Sequence, residues 1–338
     1  MSFLFMDGFD HYTGSPAGGS KWGSVLSSVN IGSTSPRTGI GYMSINSNGS
    51  TCTTKTFTPS GGFVVGMAFR MGDFAAGSVD LIRICEGATV HLAFGLNASR
   101  IPVVKLNTTV IQTGSTVYAL NSWYYIEVKG TIHDTTGSYT YRIDGVNQLT
   151  ASGVDTRNGA TGVWDNVVVA SSGGFHAIDD FYLLDSSGSA PWNDFLGSIK
   201  VETLFPQTDA VAAGSNAGLT PSTGTDHGAL VDETTPNTTD YNSHATVGQK
   251  DTYNFPTMTL AGTIYAIQTN MYVSKSDATV RQVCAVVRAG GVDYDGANVS
   301  PLTTFQNFNE IRTLNPNTGI AWVVADITTL QAGMKVTV

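Results

Sequence analysis

Trp123-Tyr-Tyr-Ile-Glu-Val-Lys-Gly130, the turn at residues 134–138, Tyr139-Thr-Tyr-Arg-Ile143 and the dipeptide Asp144-Gly145 decide the fold. Both runs alternate between side chains suited to a core and side chains suited to water, the period of a strand with two different faces. Asp-Gly between such runs favours a type I′ turn, because both central residues take positive φ. Residues 123–149 are therefore expected to form three antiparallel strands in a meander. Working outward, Gly62 to Met71 is a continuous apolar run of strand length, as expected of a strand covered on both faces, with Ser78 to Cys85 as its expected partner. His91 to Leu96 and Ile101 to Leu106 flank Asn97 to Arg100 at hairpin spacing. Val163 to Ala170 and Ala177 to Leu184 read as two further strands, and Phe3 to Trp22 as a strand entering a sandwich.

The composition agrees with an all-β chain. Of 338 residues, 41% are hydrophobic and only 13% charged, which sets aside extended disorder and coiled coil. Thirty-eight glycines suit short strands joined by tight turns. A formal charge of -9, with no basic cluster, opposes binding to nucleic acid. No stretch approaches a membrane span, and Met1 to Phe5 lacks the length and cationic flank of a secretory signal, so the chain is expected to be made in the cytoplasm without membrane insertion. Cys52, Cys85 and Cys284 are isolated and odd in number, as expected of buried free thiols. Asn-x-Ser/Thr triplets at Asn48, Asn97, Asn107, Asn237 and Asn298 are ascribed to chance in an Asn/Ser/Thr-rich chain.

Ser186-Ser-Gly-Ser-Ala-Pro191 has the composition of a boundary, which divides the chain into domains 1–190 and 191–338. In the second, Ile199 to Phe205, Asp251 to Phe255, Ala261 to Val273, Val280 to Ala289, Phe305 to Leu314 and Ala321 to Val324 are expected strands. Residues 206–244 form a long loop of the kind that is functional or lies across a partner. Asp326 to Gly333, with Asp at the N-cap position and a terminal Gly, is the one expected helical turn. The expected fold is thus two β-sandwiches, the second smaller and carrying one short C-terminal helical turn.

The strands at Phe63 to Met71, Trp123 to Lys129 and Tyr139 to Val146, closed by Asp179-Asp180-Phe-Tyr-Leu, resemble the concanavalin A-like or laminin-G-like jelly roll over residues 1–190. The opening Phe5 to Tyr12, the linker Gly188 to Gly197, Val201 to Pro206, Leu219-Thr-Pro-Ser-Thr-Gly-Thr-Asp-His227 and the ending at Trp322 and Asp326 to Gly333 resemble virion proteins of tailed bacteriophages. That resemblance implies a non-enzymatic structural component on the virion surface, a capsid decoration, neck or tail-fibre protein. Its expected partners are other virion proteins and further copies of itself, a trimer being one such assembly. The alternative is an adhesin for a host-surface polysaccharide, and a third reading is a glycan depolymerase.

Each chemistry demands its own set of side chains. A glycosidase needs two facing carboxylates, whereas the five Glu residues are scattered singly and Glu127 is expected on a solvated strand face. Asp179 and Asp180 are adjacent, so they point to opposite faces of a strand and cannot both serve one site; a loop cap or weak calcium ligand is the minor alternative for one of them. No Gly-x-Ser-x-Gly elbow, zinc spacing or phosphate loop occurs, so no catalytic residue, metal or cofactor is assigned. His11, His91, His133, His176, His227 and His244 are expected as satisfied polar residues. Sugar binding on a sandwich stacks an aromatic face on the ring, and Trp164 and Trp192, near expected loops, are the two carbohydrate-binding candidates.

Overall fold

The structure, a computed structural model, describes residues 3–16, 21–26, 28–45, 49–72, 78–170, 175–210, 218–234, 236–259 and 261–338. The triplet at Asn48, the Gly18-Gly19 part of the first segment, and positions 211–217 and 235 of the long loop lie outside these. The fold is all-β. It divides into two compact units, Met1–Val201 and Glu202–Val338, eleven residues beyond the boundary expected from composition.

The first unit is a two-sheet sandwich of β1 (Phe3–Asp7), β2 (Ser24–Val25), β3 (Val29–Gly32), β4 (Tyr42–Ile45), β5 (Thr51–Thr53), β6 (Phe63–Met71), β7 (Val79–Glu86), β8 (Thr89–Leu96), β9 (Pro102–Leu106), β10 (Thr109–Thr113), β11 (Trp123–Thr131), β12 (Gly137–Ile143), β13 (Val146–Val154), β14 (Asn166–Ala170) and β15 (His176–Asp185). One sheet runs β13-β12-β11-β6-β15-β4-β3, with β1 also on β15, and the other runs β10-β9-β8-β7-β14-β5-β2. The meander forms as expected, and its Asp144-Gly145 turn has φ of 50° and 76°. The run Phe63–Met71 is buried on both faces except at Arg70. Its neighbours, however, are β11 and β15; the expected partner, β7, lies in the opposite sheet. An apolar run with no alternation carries no mark of which strand lies beside it. Phe63, Met67, Phe69, Ile82, Phe94, Ile126, Tyr141 and Phe181 fill the core between the sheets.

The second unit is a smaller sandwich. Its strands are β16 (Thr208–Asp209), β17 (Thr220–Pro221), β18 (Asn242–Ser243), β19 (Lys250–Asn254), β20 (Ile267–Val273), β21 (Val283–Ala289), β22 (Val292–Asp295), β23 (Gln306–Arg312) and β24 (Gln331–Val336). A five-stranded sheet, β16-β19-β24-β21-β22, meets the β20–β23 pair around Val287, Trp322, Ile327 and Ala332. Three local expectations need correction. The helical turn α1 is Val324–Thr328, with Asp326 inside it accepting from the Val323 N–H, and Gln331 to Gly333 belong to β24. Ala321 to Val324 is not a strand, nor is Ile199 to Phe205. The three cysteines are free and buried.

Candidate functional site

Alternation along β11 turns Ile126 and Val128 into the core and Trp123, Tyr125, Glu127 and Lys129 to the outer face. Outward does not mean exposed here. Residues 194–201 fold back from the end of β15 across this face. Glu127 is only 1% exposed, and its Oε1 accepts from Tyr182 Oη at 2.7 Å and from the Gly197 N–H at 2.8 Å. The Leu196 N–H donates to Tyr182 Oη at 3.2 Å. Arg37 donates to Ser198 Oγ at 2.6 Å and to the Ile199 carbonyl at 2.7 Å, and the Val201 N–H donates to Asp180 Oδ1 at 2.7 Å. The expectation of a solvated Glu127 is thus corrected: the strap desolvates the carboxyl, and burial pushes its pKa up against the two hydrogen bonds that favour the charged form.

Asp179 and Asp180 also depart from expectation. The register on β6 shifts between Asp179 and Tyr182, and Asp180 takes φ of 51°. This bulge inserts an extra residue and re-aims the side chains. Both carboxylates now hold one loop. Asp179 Oδ2 accepts from the N–H groups of Arg37 and Thr38 at 3.0 and 3.2 Å, while Asp180 pairs with the Arg37 guanidinium and accepts from Thr38 Oγ1 at 2.6 Å. Burial, with the like charge of Asp180 beside it, pushes Asp179 up to about 9. Asp10 caps the same loop through the Ile40 and Gly41 N–H groups, and burial raises its carboxyl to about 6. The opening motif is therefore structural. Asp7 binds the Phe9 N–H, Tyr12 Oη and Trp22 Nε1, and Gly8 lets the Val201 carbonyl pass where a Cβ would clash.

Beside the strap the outer face is open. The Phe195 ring lies 4.0 Å from the Arg142 Cζ and 5.9 Å from Lys129 Nζ, and Lys129 pairs with Asp194 at 3.0 Å. Arg142 Nε donates to Asn147 Oδ1 at 2.8 Å, and the hydroxyls of Thr140 and Thr150 meet at 2.8 Å. Trp192, half-buried, opens the same segment. At the other end of the face Arg70 lies over both Tyr42 and Trp123, 5.3 and 5.0 Å from their centroids. The Phe195 end of the face thus joins an aromatic ring, cations, hydroxyls and an amide, the groups that stack on sugar rings and bond their hydroxyls.

Of the two tryptophans singled out, only Trp192 presents surface. Trp164 is 2% exposed, its ring packs edge-on against Phe63 and its Nε1 donates to the Gly61 carbonyl, so it offers no face to a sugar and is withdrawn as a binding residue. Arg142, Phe195 and Thr150 were missed; the alternation of β12 does put Arg142 on the outward set, but nothing local brings Phe195 to it. In the second unit His227 Nδ1 meets the buried Asp251 Oδ2 at 2.6 Å, and Asp209 accepts from the backbone N–H groups of His227 and Gly228. His91 is satisfied by Val163 and Asn158, whereas neither ring nitrogen of buried His11 makes a hydrogen bond within the described residues. Among the described residues no three His, Cys, Asp or Glu side chains are grouped to hold a metal.

No protein-family model matches the chain, and no curated protein does. Solved structures similar to it include an endo-β-1,4-glucuronan lyase from Trichoderma reesei, at 13% identity over 54% of this chain and 95% of that one, TM-score 0.41. The alginate lyase Aly36B matches at 12% over 53% and 95%, TM-score 0.40. A mutant Trypanosoma rangeli sialidase matches at 15% over 48% and 30%, TM-score 0.35. The likeness is one of sandwich fold. These neighbours are enzymes, and they overturn the expectation that the chain is not one. That expectation rested on acidic residues scattered along the sequence, and spacing along a chain does not show which side chains a sandwich brings together.

Proposed function

We propose that the chain binds polysaccharide through the open part of the first unit's outer face, with Trp192 and Phe195 as ring platforms and Lys129, Thr140, Arg142, Asn147 and Thr150 as polar partners. The observation that carries this reading is the joining of Phe195, two cations, an amide and paired hydroxyls on one exposed sheet face. Its setting is the surface of a tailed-phage particle, supported by the resemblance at Phe5 to Tyr12 and Leu219 to His227, so the ligand is a host-surface glycan. Binding of the full chain to an array of bacterial polysaccharides tests it. At least one should bind, with Trp192→Ala or Thr150→Ala weakening it about tenfold, the worth of roughly 1.4 kcal/mol. Uniformly absent binding, or binding indifferent to both changes, overturns the reading.

Docking to other virion proteins is a second reading. Val280 and Ile320 of the second unit are 73% and 65% exposed and would withdraw apolar surface from water on docking. Ile320→Lys is expected to lower incorporation into particles, and full incorporation would count against it.

A further inference from the structure

We propose that the glycan held on the outer face of the first unit is an acidic one, with a sugar carboxylate received by Arg142. This rests on the polysaccharide reading above and names the class of sugar. The row of β12 is the starting point. Tyr139, Tyr141 and Ile143 turn into the core, and Ser138, Thr140 and Arg142 alternate with them on the outer face. Register places Arg142 between Glu127 and Asn147, Thr140 between Lys129 and Thr150, and Ser138 between Thr131 and Ser152. The face is therefore graded along the strand. Hydroxyls occupy the Ser138 end, where those of Thr131 and Ser138 meet at 3.0 Å, and cations occupy the Arg142 end.

The two cations are not alike. Lys129 is committed to Asp194 at 3.0 Å. Among the described residues Arg37, Arg83, Arg157, Arg281, Arg288 and Arg312 each pair with a carboxylate, and Arg142 does not. Its neighbour across the strands, Glu127, is buried under the strap and turned to Tyr182 Oη and the Gly197 N–H. Arg142 Nε donates to Asn147 Oδ1 at 2.8 Å and its Cζ lies 4.0 Å from the Phe195 ring, contacts that fix the plane of the guanidinium. Neither terminal nitrogen has a protein acceptor among the described residues. A planar fork held by one edge, with its other donors unspent, matches the two oxygens of a carboxylate. A sugar hydroxyl would take one such bond and leave the charge uncompensated. General attraction is not the cause: at a formal charge of -9 the chain repels a polyanion at long range, so an acidic glycan is held only where a cation meets its carboxylate directly. From Arg142 to Ser138 the face runs roughly 13 Å, longer than one sugar ring, so neighbouring units of the glycan lie over the hydroxyls.

The test uses hyaluronate, polysialate and polygalacturonate, which space their carboxylates differently, each beside the same polymer with its carboxyls reduced to alcohols. The full chain is expected to bind at least one of the three about 10- to 150-fold more tightly than its reduced form, the range for hydrogen bonds to a charged group. Arg142→Gln should bring the two forms to equality, and Arg142→Lys, which keeps the charge without the fork, should recover only a small part of the preference. Thr150→Ala should weaken both forms alike and preserve the ratio. Because the ratio is read within each variant, a change that merely loosens the face cannot imitate the loss of preference. Reduced polymers that bind as tightly as their parents overturn the proposal, and so does a ratio that Arg142→Gln leaves unchanged. If neutral polysaccharides bind and respond to Trp192→Ala or Thr150→Ala while all three acidic polymers fail, the class of sugar is wrong and the binding face stands; if no polymer binds, both readings fall.

Discussion

Asp7→Asn is the sharpest probe of the first unit. Asp7 is fully buried at the end of β1, where its carboxylate accepts from the Phe9 N–H at 2.9 Å, Tyr12 Oη at 2.9 Å and Trp22 Nε1 at 2.8 Å, with Lys21 Nζ at 3.4 Å. Burial pushes the carboxyl up, but Lys21, His11 and the hydrogen bonds from Phe9 and Trp22 outweigh it and hold Asp7 below its ordinary range. Asparagine keeps the shape and removes the charge. Lys21, itself 3% exposed, is then a buried cation without a counter-ion, a change that costs about 3–5 kcal/mol. For a unit of this size about 2–4 °C of Tm accompany each kcal/mol, so Tm should fall by about 6–20 °C. The assay is thermal unfolding followed by tryptophan fluorescence and circular dichroism. Lys21→Met added to Asp7→Asn should restore much of the loss by removing the orphaned charge. The sign with pH follows from the lowered pKa: the stabilisation is present above the unfolded value near 3.8 and lost as pH falls through the folded one, so the variant and the parent should converge on acidification. A fall of under about 3 °C near neutrality, or a double variant no better than the single, would refute this reasoning.

Three further outcomes are expected. Asp179, raised to about 9, binds its proton more tightly folded than unfolded, so its stabilisation is complete below about pH 4 and lost as pH rises through 9; Asp179→Asn should flatten that stretch of the Tm curve, and an unchanged slope would count against the assignment. Trp164→Ala should cost about 3–5 kcal/mol as a core truncation, whereas Trp192→Ala should cost about 1 kcal/mol or less, and chemical denaturation distinguishes them. Glu127→Ala strips the acceptor from Tyr182 and Gly197, a loss of about 1–3 kcal/mol to the strap. Trypsin cleavage after exposed Lys200 should then quicken by about 5- to 150-fold, if cleavage follows the open population, and an unchanged rate would show that the strap is held by other contacts.

What could be read in the sequence was what local physics determines. The meander at residues 123–154 carries its own period and its own turn, and both appear in place. The buried run at Phe63 was legible as a strand but not in its neighbours, since pairing across a sandwich is a long-range choice that two apolar faces leave open. Ile199 to Phe205 has the apolar content of a strand, yet the N–H of Val201 and the carbonyl of Ile199 are satisfied by Asp180 and Arg37 rather than by a neighbouring strand. Asp326 has the right side chain for an N-cap and sits three residues too late for it, because Val323 N–H is the group it reaches. Trp164 stands among Gly162, Val163 and Asp165, a loop-like context that says nothing of where the ring points, and the ring points into the core.

The outward residues of β11 show why the candidate site could not be read from alternation alone. Trp123, Tyr125, Glu127 and Lys129 share one face, but Tyr125 lies under the Arg37 guanidinium and donates to the Asp180 carbonyl, and Glu127 lies under Gly197. Only Trp123 and Lys129, at the two ends of the row, keep surface for a ligand. The middle of the row depends on Arg37, some 90 positions earlier in the chain, and on a carboxylate re-aimed by the bulge at Asp180. A residue with a short polar side chain tolerates positive φ, so Asp180 permits the bulge without announcing it. One backbone irregularity on β15 thus places Asp180 to hold Arg37, Arg37 and Asp180 to hold the strap, and the strap to bring Phe195 against Arg142. It follows that the position of the open patch is set from outside the strands that carry it, and that changes at Asp180 should disturb the Phe195 platform without touching a residue of β11, β12 or β13.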